Sequence, residues 1–427
     1  MRLPKYFHYA GTQRTIAGHG ALRKLPGIMA SLGSSRPLLV TDRGVQEAGL
    51  TELVLSVLGA SKPSGNQENA ITVSAVFSDV PADSDTHAVA RGAAMFRERN
   101  CDSIVAVGGG SVMDTAKGIR MVSTLGGDDL SAYSGAGRLQ ETLIPLYAVP
   151  TTSGSGSEAT QVAVIKDHDT GRKISYTSPY LIPDAAVLDP LMTVTLPPLM
   201  TAATGMDALT HAIEAFISLA KNPLSDSASL QAVELAARNL PQVIINPHDE
   251  ESRLQMAVAS HLAGAAFSNS MVSIVHTLGH CAGSVCGIPH GICMGILLSY
   301  GLEYNLHMIR SEISLLLLPL RGKAEYMETK PSKRPEAVIA SIRGLAGHLH
   351  ELTARQYPLR FRDVQRTDGS LVMEPQHIPV IARLALGDPS QFYNPEQVDY
   401  HDMVRVLEAA YWGYALDQGL VKKGHQK

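Results

Sequence analysis

The chain has 427 residues, 45% hydrophobic and 18% charged, which suffices for a large buried core and for two or three domains. A formal net charge of -4, with no extended Lys/Arg block, offers no field for a phosphate backbone, so nucleic acid is excluded as an expected partner. The opening MRLPKYFHYAGTQRTIAGHG lacks the apolar stretch of a secretory signal, and the longest apolar run, Leu315 to Leu318, stops at Pro319; a cytoplasmic chain with no membrane span is expected.

From the N-terminus, short apolar β-branched runs alternate with helical stretches: Pro37 to Asp42, Ile71 to Phe77, Ser103 to Val107 and Ile144 to Val149. That alternation predicts a mostly parallel, Rossmann-like sheet wrapped by helices. Asp42 ends the first clear run. It can accept hydrogen bonds from an adenosine ribose, which favours NAD over NADP, or be an ordinary turn aspartate, and the adjacent Arg43 would tolerate an extra phosphate.

In SIVAVGGGSVMDTAK a strand passes through Gly108, Gly109, Gly110 and Ser111 into a helix. Bare backbone and an unpaired helix start make a phosphate cradle, although the spacing is not GxGxxG and glycine also serves simple changes of direction. A second loop, PTTSGSGSE, brings Thr151, Thr152 and Ser155 after the next strand and is expected at the same crevice, the bland alternative being a surface linker.

The texture changes after Asp189-Pro190, so a boundary is placed near residue 195: an α/β domain over 1–195 and a helical domain over 196–427. In GMDALTH, Asp207 and His211 stand one turn apart on one helix face. Further on, SIVHTLGHCAGSVCGIPHG carries His276, His280 and His290. Four histidines and an aspartate in apolar helices are costly unless something binds them. Three imidazoles and one carboxylate from this set would hold a first-row divalent ion, Fe(II) or Zn(II), with a position open for a substrate oxygen. His8, His19, His87, His168 and Glu214 show no partner spacing and stay unassigned. The four cysteines (Cys101, Cys281, Cys286, Cys293) form no CxxC pair and are read as helix packing in a reducing compartment rather than as a Cys/His zinc site. The segment 359–373 reads as a hairpin about Asp368-Gly369, inserted into the helical domain, and the tail VKKGHQK as a frayed end.

Together, GGGSVMDTAK, PTTSGSGSE, GMDALTHAIEAF and HTLGH followed by PHG resemble the iron-containing, group III alcohol dehydrogenase family over nearly the whole chain. The resemblance implies the dehydroquinate synthase-like plan: an NAD(P)-binding α/β domain followed by an all-α metal-binding domain. It implies that Asp207, His211, His276 and His290 ligate the metal, that His280 relays a proton and that Phe267 lines the substrate pocket. It assigns the cofactor to Asp42, Gly108, Gly109, Gly110, Ser111, Asp114, Thr151, Thr152, Ser155, Lys173 and Leu188. It also implies hydride transfer between a small alcohol or aldehyde and NAD(P), in a homodimer or larger assembly. Ser155 stands where threonine is commoner, and VPADSD (Val80 to Asp85) replaces the usual PNP loop. The alternatives on the same plan are a hydroxyacid-oxoacid transhydrogenase and a glycerol dehydrogenase-like enzyme.

Overall fold

The computed structural model describes residues 4, 6–11, 13–60, 71–126 and 130–422. Contacts divide the chain into two compact units. One comprises 10–196 together with 248–264; the other comprises 197–247 and 265–427 with residues up to 9. The stretch 248–264, assigned from sequence to the helical domain, thus packs with the α/β unit.

Among the described residues the α/β unit carries nine strands: β1 (Arg14–Ala17), β2 (Pro37–Val40), β3 (Ala75–Phe77), β4 (Ser103–Gly108), β5 (Gly135–Ala136), β6 (Leu146–Pro150), β7 (Val162–Lys166), β8 (Lys173–Thr177) and β9 (Ala185–Leu188). Its helices are α1 (Leu25–Ser31), α2 (Arg43–Glu47), α3 (Leu50–Gly59), α4 (Thr86–Glu98) and α5 (Gly110–Leu125). Six strands form one parallel sheet in the order β1-β9-β6-β4-β2-β3, and β5-β8-β7 make a small second sheet that the sequence did not signal. Burial on both faces explains why β2, β4, β6 and β9 read as continuous apolar runs rather than alternating ones. Leu38, Val40, Ile104, Ala106, Leu146 and Ala148 enter one core; Leu39, Val105, Val107, Tyr147, Val149 and Val187 enter the other. Of the run from Ile71 only its last three residues pair as β3.

Beyond residue 197 no strand is present among the described residues. The helices are α6 (Pro198–Ile217), α7 (Pro223–Ile245), α8 (Glu250–Ser268), α9 (Ile274–Cys286), α10 (His290–Asn305), α11 (Arg310–Leu315), α12 (Leu317–Glu328), α13 (Arg334–Leu352), α14 (Ile378–Ala385), α15 (Tyr400–Trp412) and α16 (Gln418–Lys422). Helix α6 packs on α7 and α10, and α9 packs on α10 and α14. No helix among the described residues is long and apolar enough to cross a membrane.

In the segment 359–373 the antiparallel pairing of the expected hairpin is confined to the tip, where the Arg366 amide donates to the Ser370 carbonyl at 2.8 Å and the Val372 amide to the Val364 carbonyl at 3.0 Å. Its tip turns at Gly369 (φ +81°), where the Gly369 amide donates to the Arg366 carbonyl at 3.0 Å, but only one antiparallel bridge, Gln365 to Leu371, forms. Phe361–Asp363 winds into a 3₁₀ turn instead of extending, because Phe361 is drawn into the core and Arg360 is tied to Asp363 three residues on.

Within the α/β unit, Gly156 (φ +60°) and Gly264 of α8 meet backbone to backbone: a Cβ at Gly264 would lie 2.4 Å from the Gly156 carbonyl oxygen. Gly264→Ala should therefore lower stability by about 2 kcal/mol through overpacking. Urea unfolding measures this, and an unchanged midpoint would show that the two backbones are not in contact.

Candidate functional site

In the large sheet the order β3-β2-β4-β6-β9 reverses direction between β2 and β4. Ligands of open parallel sheets bind outside the carboxyl ends of the strands at such a switch point. Asp42 stands just past the end of β2, and Gly109 and Gly110 just past the end of β4. Thr151, Thr152 and Ser155 follow β6, and Leu188 closes β9, where it is buried. All therefore lie on the carboxyl edge.

Gly109 caps α5 without a side-chain partner, which leaves the first amides of the helix to a ligand. The two loops touch: a Cβ at Gly109 would sit 3.3 Å from Thr152, and one at Gly110 would sit 3.1 Å from Ser155. Their shape is held from below by buried groups. Asp114 accepts the Ser157 hydroxyl at 2.8 Å with one oxygen and the Val164 amide at 2.9 Å with the other. Lys117, unassigned from sequence and fully buried, donates to the Ser157 hydroxyl (3.0 Å), the Thr160 carbonyl (3.0 Å) and the Val162 carbonyl (2.7 Å). Burial pushes its ammonium down to about 8. Asp114 thus braces the loops from inside. Ser111 donates to the Ala82 carbonyl at 2.5 Å, and Lys173 pairs with Asp83 at 2.7 Å, so both reach the VPADSD segment. The Asp42 carboxylate caps α2 through the Val45 amide at 2.9 Å. Arg43 is held by Asp79 at 3.1 Å.

The helical unit carries a cluster of its own. One turn of α6 separates Asp207 from His211, and α9 and α10 bring His276 and His290. The approach of α10 to α6 depends on Gly291, where a Cβ would fall 2.4 Å from the Ala203 carbonyl oxygen. One donor atom from each of Asp207, His211, His276 and His290 lies within 4.8 Å of every other, and no cysteine joins them. Asp207 Oδ1, His211 Nδ1 and His276 Nε2 are buried without a hydrogen-bond partner. Such orphans cost about 1–3 kcal/mol each, which a shared cation would offset. Burial drives the His211 imidazole down to about 3 and that of His276 well below its usual value, which leaves both neutral. Burial opposes ionisation of Asp207, yet the facing His211 and His290 hold its carboxyl well below the ordinary range. Three imidazoles and a carboxylate are the donor set of a divalent first-row ion, and the residues fit one.

Phe267 stacks on His211, ring centroids 4.3 Å apart. His280 stacks on His290 at 5.4 Å and places Nδ1 3.0 Å from Asp388. Glu214, left unassigned from sequence, lies 2.6 Å from His276 Nδ1. Its signal was present: it follows His211 by three residues and Asp207 by seven, on the same helix face. Asp388 carried no such signal, because the loop that delivers it is distant in sequence.

Residues 12–190 match the family model described as iron-containing alcohol dehydrogenase, and residues 201–411 match that of its C-terminal domain. The chain is 36% identical over 415 residues to the 1,3-propanediol dehydrogenase of Klebsiella pneumoniae, covering 95% of this chain and 99% of that protein. It superposes on a crystal structure of 1,3-propanediol oxidoreductase with a TM-score of 0.87 at 33% identity, over 95% of this chain and all of the other. A sulfoacetaldehyde reductase from Bifidobacterium kashiwanohense, solved in complex with NAD+, gives 0.80 at 26% identity, over 95% and 99%.

Asp207→Ala, His276→Ala and His290→Ala should each weaken Zn(II) or Co(II) binding by more than about 100-fold, beyond the range typical of outer-sphere partners. Metal titration of each variant checks this; a variant that keeps wild-type affinity is not a ligand.

Proposed function

The chain belongs to the iron-containing alcohol dehydrogenase family and is an NAD-dependent alcohol oxidoreductase; from that premise we propose how its own residues divide the work. Asp207, His211, His276 and His290 hold the divalent ion, Fe(II) in preference to Zn(II). The observation that carries this is the convergence of three buried, partnerless donor atoms on one point. An ion bound there supplies a Lewis acid that lowers the pKa of a hydroxyl group.

The substrate is a small alcohol or aldehyde, and Phe267, fixed by its stacking on His211, forms an apolar wall for it. A bound nicotinamide would supply the hydride acceptor or donor for the substrate carbon. His280 relays the hydroxyl proton through Nε2, because Asp388 engages Nδ1 and so sets the ring's orientation. At the switch point Gly108, Gly109, Gly110 and Ser111 at the start of α5 would hold the pyrophosphate of a dinucleotide, and Thr151, Thr152, Ser155 and Leu188 would contribute to the same cofactor site. Lys173 serves the same site from β8. Asp42 reads the ribose. Standing just past the end of β2, the carboxylate of Asp42 would repel the additional phosphate of NADP. A homo-oligomer in the cytoplasm completes the proposal; β1, an outer and largely exposed strand of the sheet, is a place for a second copy to pair, and four free cysteines suit a reducing compartment.

Metal analysis of anaerobically purified protein, paired with NAD-linked assays over a panel of alcohols and aldehydes, tests the whole reading. Full turnover by metal-free protein would refute it. Asp42→Gly should raise kcat/KM for NADP relative to NAD by about tenfold, the effect of removing roughly 1.4 kcal/mol of repulsion. An unchanged cofactor ratio would remove Asp42 from the ribose site.

A further inference from the structure

Glu214 is fully buried, and its carboxylate contacts the residues at the start of α9. Its Oε1 accepts the Ser273 hydroxyl at 2.6 Å and the Val275 amide at 2.8 Å; its Oε2 accepts the His276 amide at 3.3 Å and lies 2.6 Å from His276 Nδ1. The residue before α9, Ser273, makes no side-chain cap of its own, and the turn that delivers it passes through Met271 at φ +65°, a backbone state unfavourable for a side chain. A carboxylate from a different helix therefore closes the start of α9.

Both Glu214 oxygens already face donors at the start of α9, Oε1 the Ser273 hydroxyl and Val275 amide and Oε2 the His276 amide. A 2.6 Å contact of that same accepting Oε2 is met by a proton on His276 Nδ1, which leaves the lone pair on Nε2, the atom that is buried and without a hydrogen-bond partner. From these contacts we infer that Glu214 is a positioning residue for the metal centre: it fixes the tautomer and orientation of His276 and anchors the start of α9, so that one face of α6 supplies two ligands and the brace for a third. This rests on the reading of Asp207, His211, His276 and His290 as ligands, and it adds a residue outside that set.

Glutamine is the discriminating substitution. Nearly isosteric, it can still accept from Ser273 and Val275, but its amide then faces Nδ1 with a donor. His276 must take the opposite tautomer, with a proton on Nε2 where the ion binds. In full-length protein loaded with Co(II) and titrated against a chelating dye, Glu214→Gln should bind the ion about 10–100-fold more weakly, with an altered visible absorption spectrum. Ser273→Ala removes a neighbouring donor to the same carboxylate and should lower the melting temperature while leaving Co(II) affinity within about threefold, below the range expected for a ligand brace. If Glu214→Gln yields no folded protein, Glu214→Asp, one methylene too short to reach Nδ1, should show the same loss of affinity. A folded Glu214 variant with wild-type Co(II) affinity and spectrum overturns the inference. Wild-type protein that binds no Co(II), or a His276→Ala variant that binds it unaltered, instead overturns the metal reading itself.

Discussion

Withdrawing two carboxylates and several imidazoles from water is the most expensive feature of the helical unit, and its arrangement follows from reducing that cost. Asp207, His211 and Glu214 occupy one face of α6, a helix whose other residues are almost all buried and mostly apolar. Glu214 is satisfied by four donors from α9 and its approach. Asp207 Oδ1, His211 Nδ1 and His276 Nε2 are not, and they converge. The protein satisfies what it can with its own donors and leaves unsatisfied the atoms that a cation can claim. Close packing serves this end, since Gly291 lets α10 approach α6 so nearly that His290 Nε2 comes within 3.3 Å of Asp207.

The α/β unit meets a different requirement, that of presenting bare backbone and hydroxyls at a strand edge without letting them collapse. Its solution is a buried polar brace under the two loops. Asp114 and Lys117, one turn apart on α5, grip Ser157, Thr160 and the start of β7. Gly156 rests against Gly264 on the other side. Rigid supports of this kind reduce the ordering that a bound dinucleotide must impose.

Much of this was legible in the sequence because local periodicity encodes it. Continuous apolar runs gave β2, β4 and β6, since a strand buried on both faces needs no polar alternation. A four-residue spacing put Asp207 and His211 on one face, since a helix repeats every 3.6 residues. The same rule would have found Glu214 had it been applied one turn further. At 359–373 the Asp-Gly turn pairs its arms only near the tip, while Phe361–Asp363 winds into a 3₁₀ turn with Phe361 buried and Arg360 tied to Asp363.

The sequence by itself determined the central strands of the large sheet, the helical character beyond residue 197, the glycine and hydroxyl loops, and which residues were too polar for their surroundings, because each depends on neighbours a few positions apart. Only the tertiary structure decided that β2 and β4 flank the reversal of the sheet, that 248–264 packs with the α/β unit, that Asp388 meets His280, and which atoms of the histidine cluster are left without partners. Those facts join residues tens to more than a hundred positions apart. Spacing along the chain carries no information about such pairs; close packing of the folded elements does.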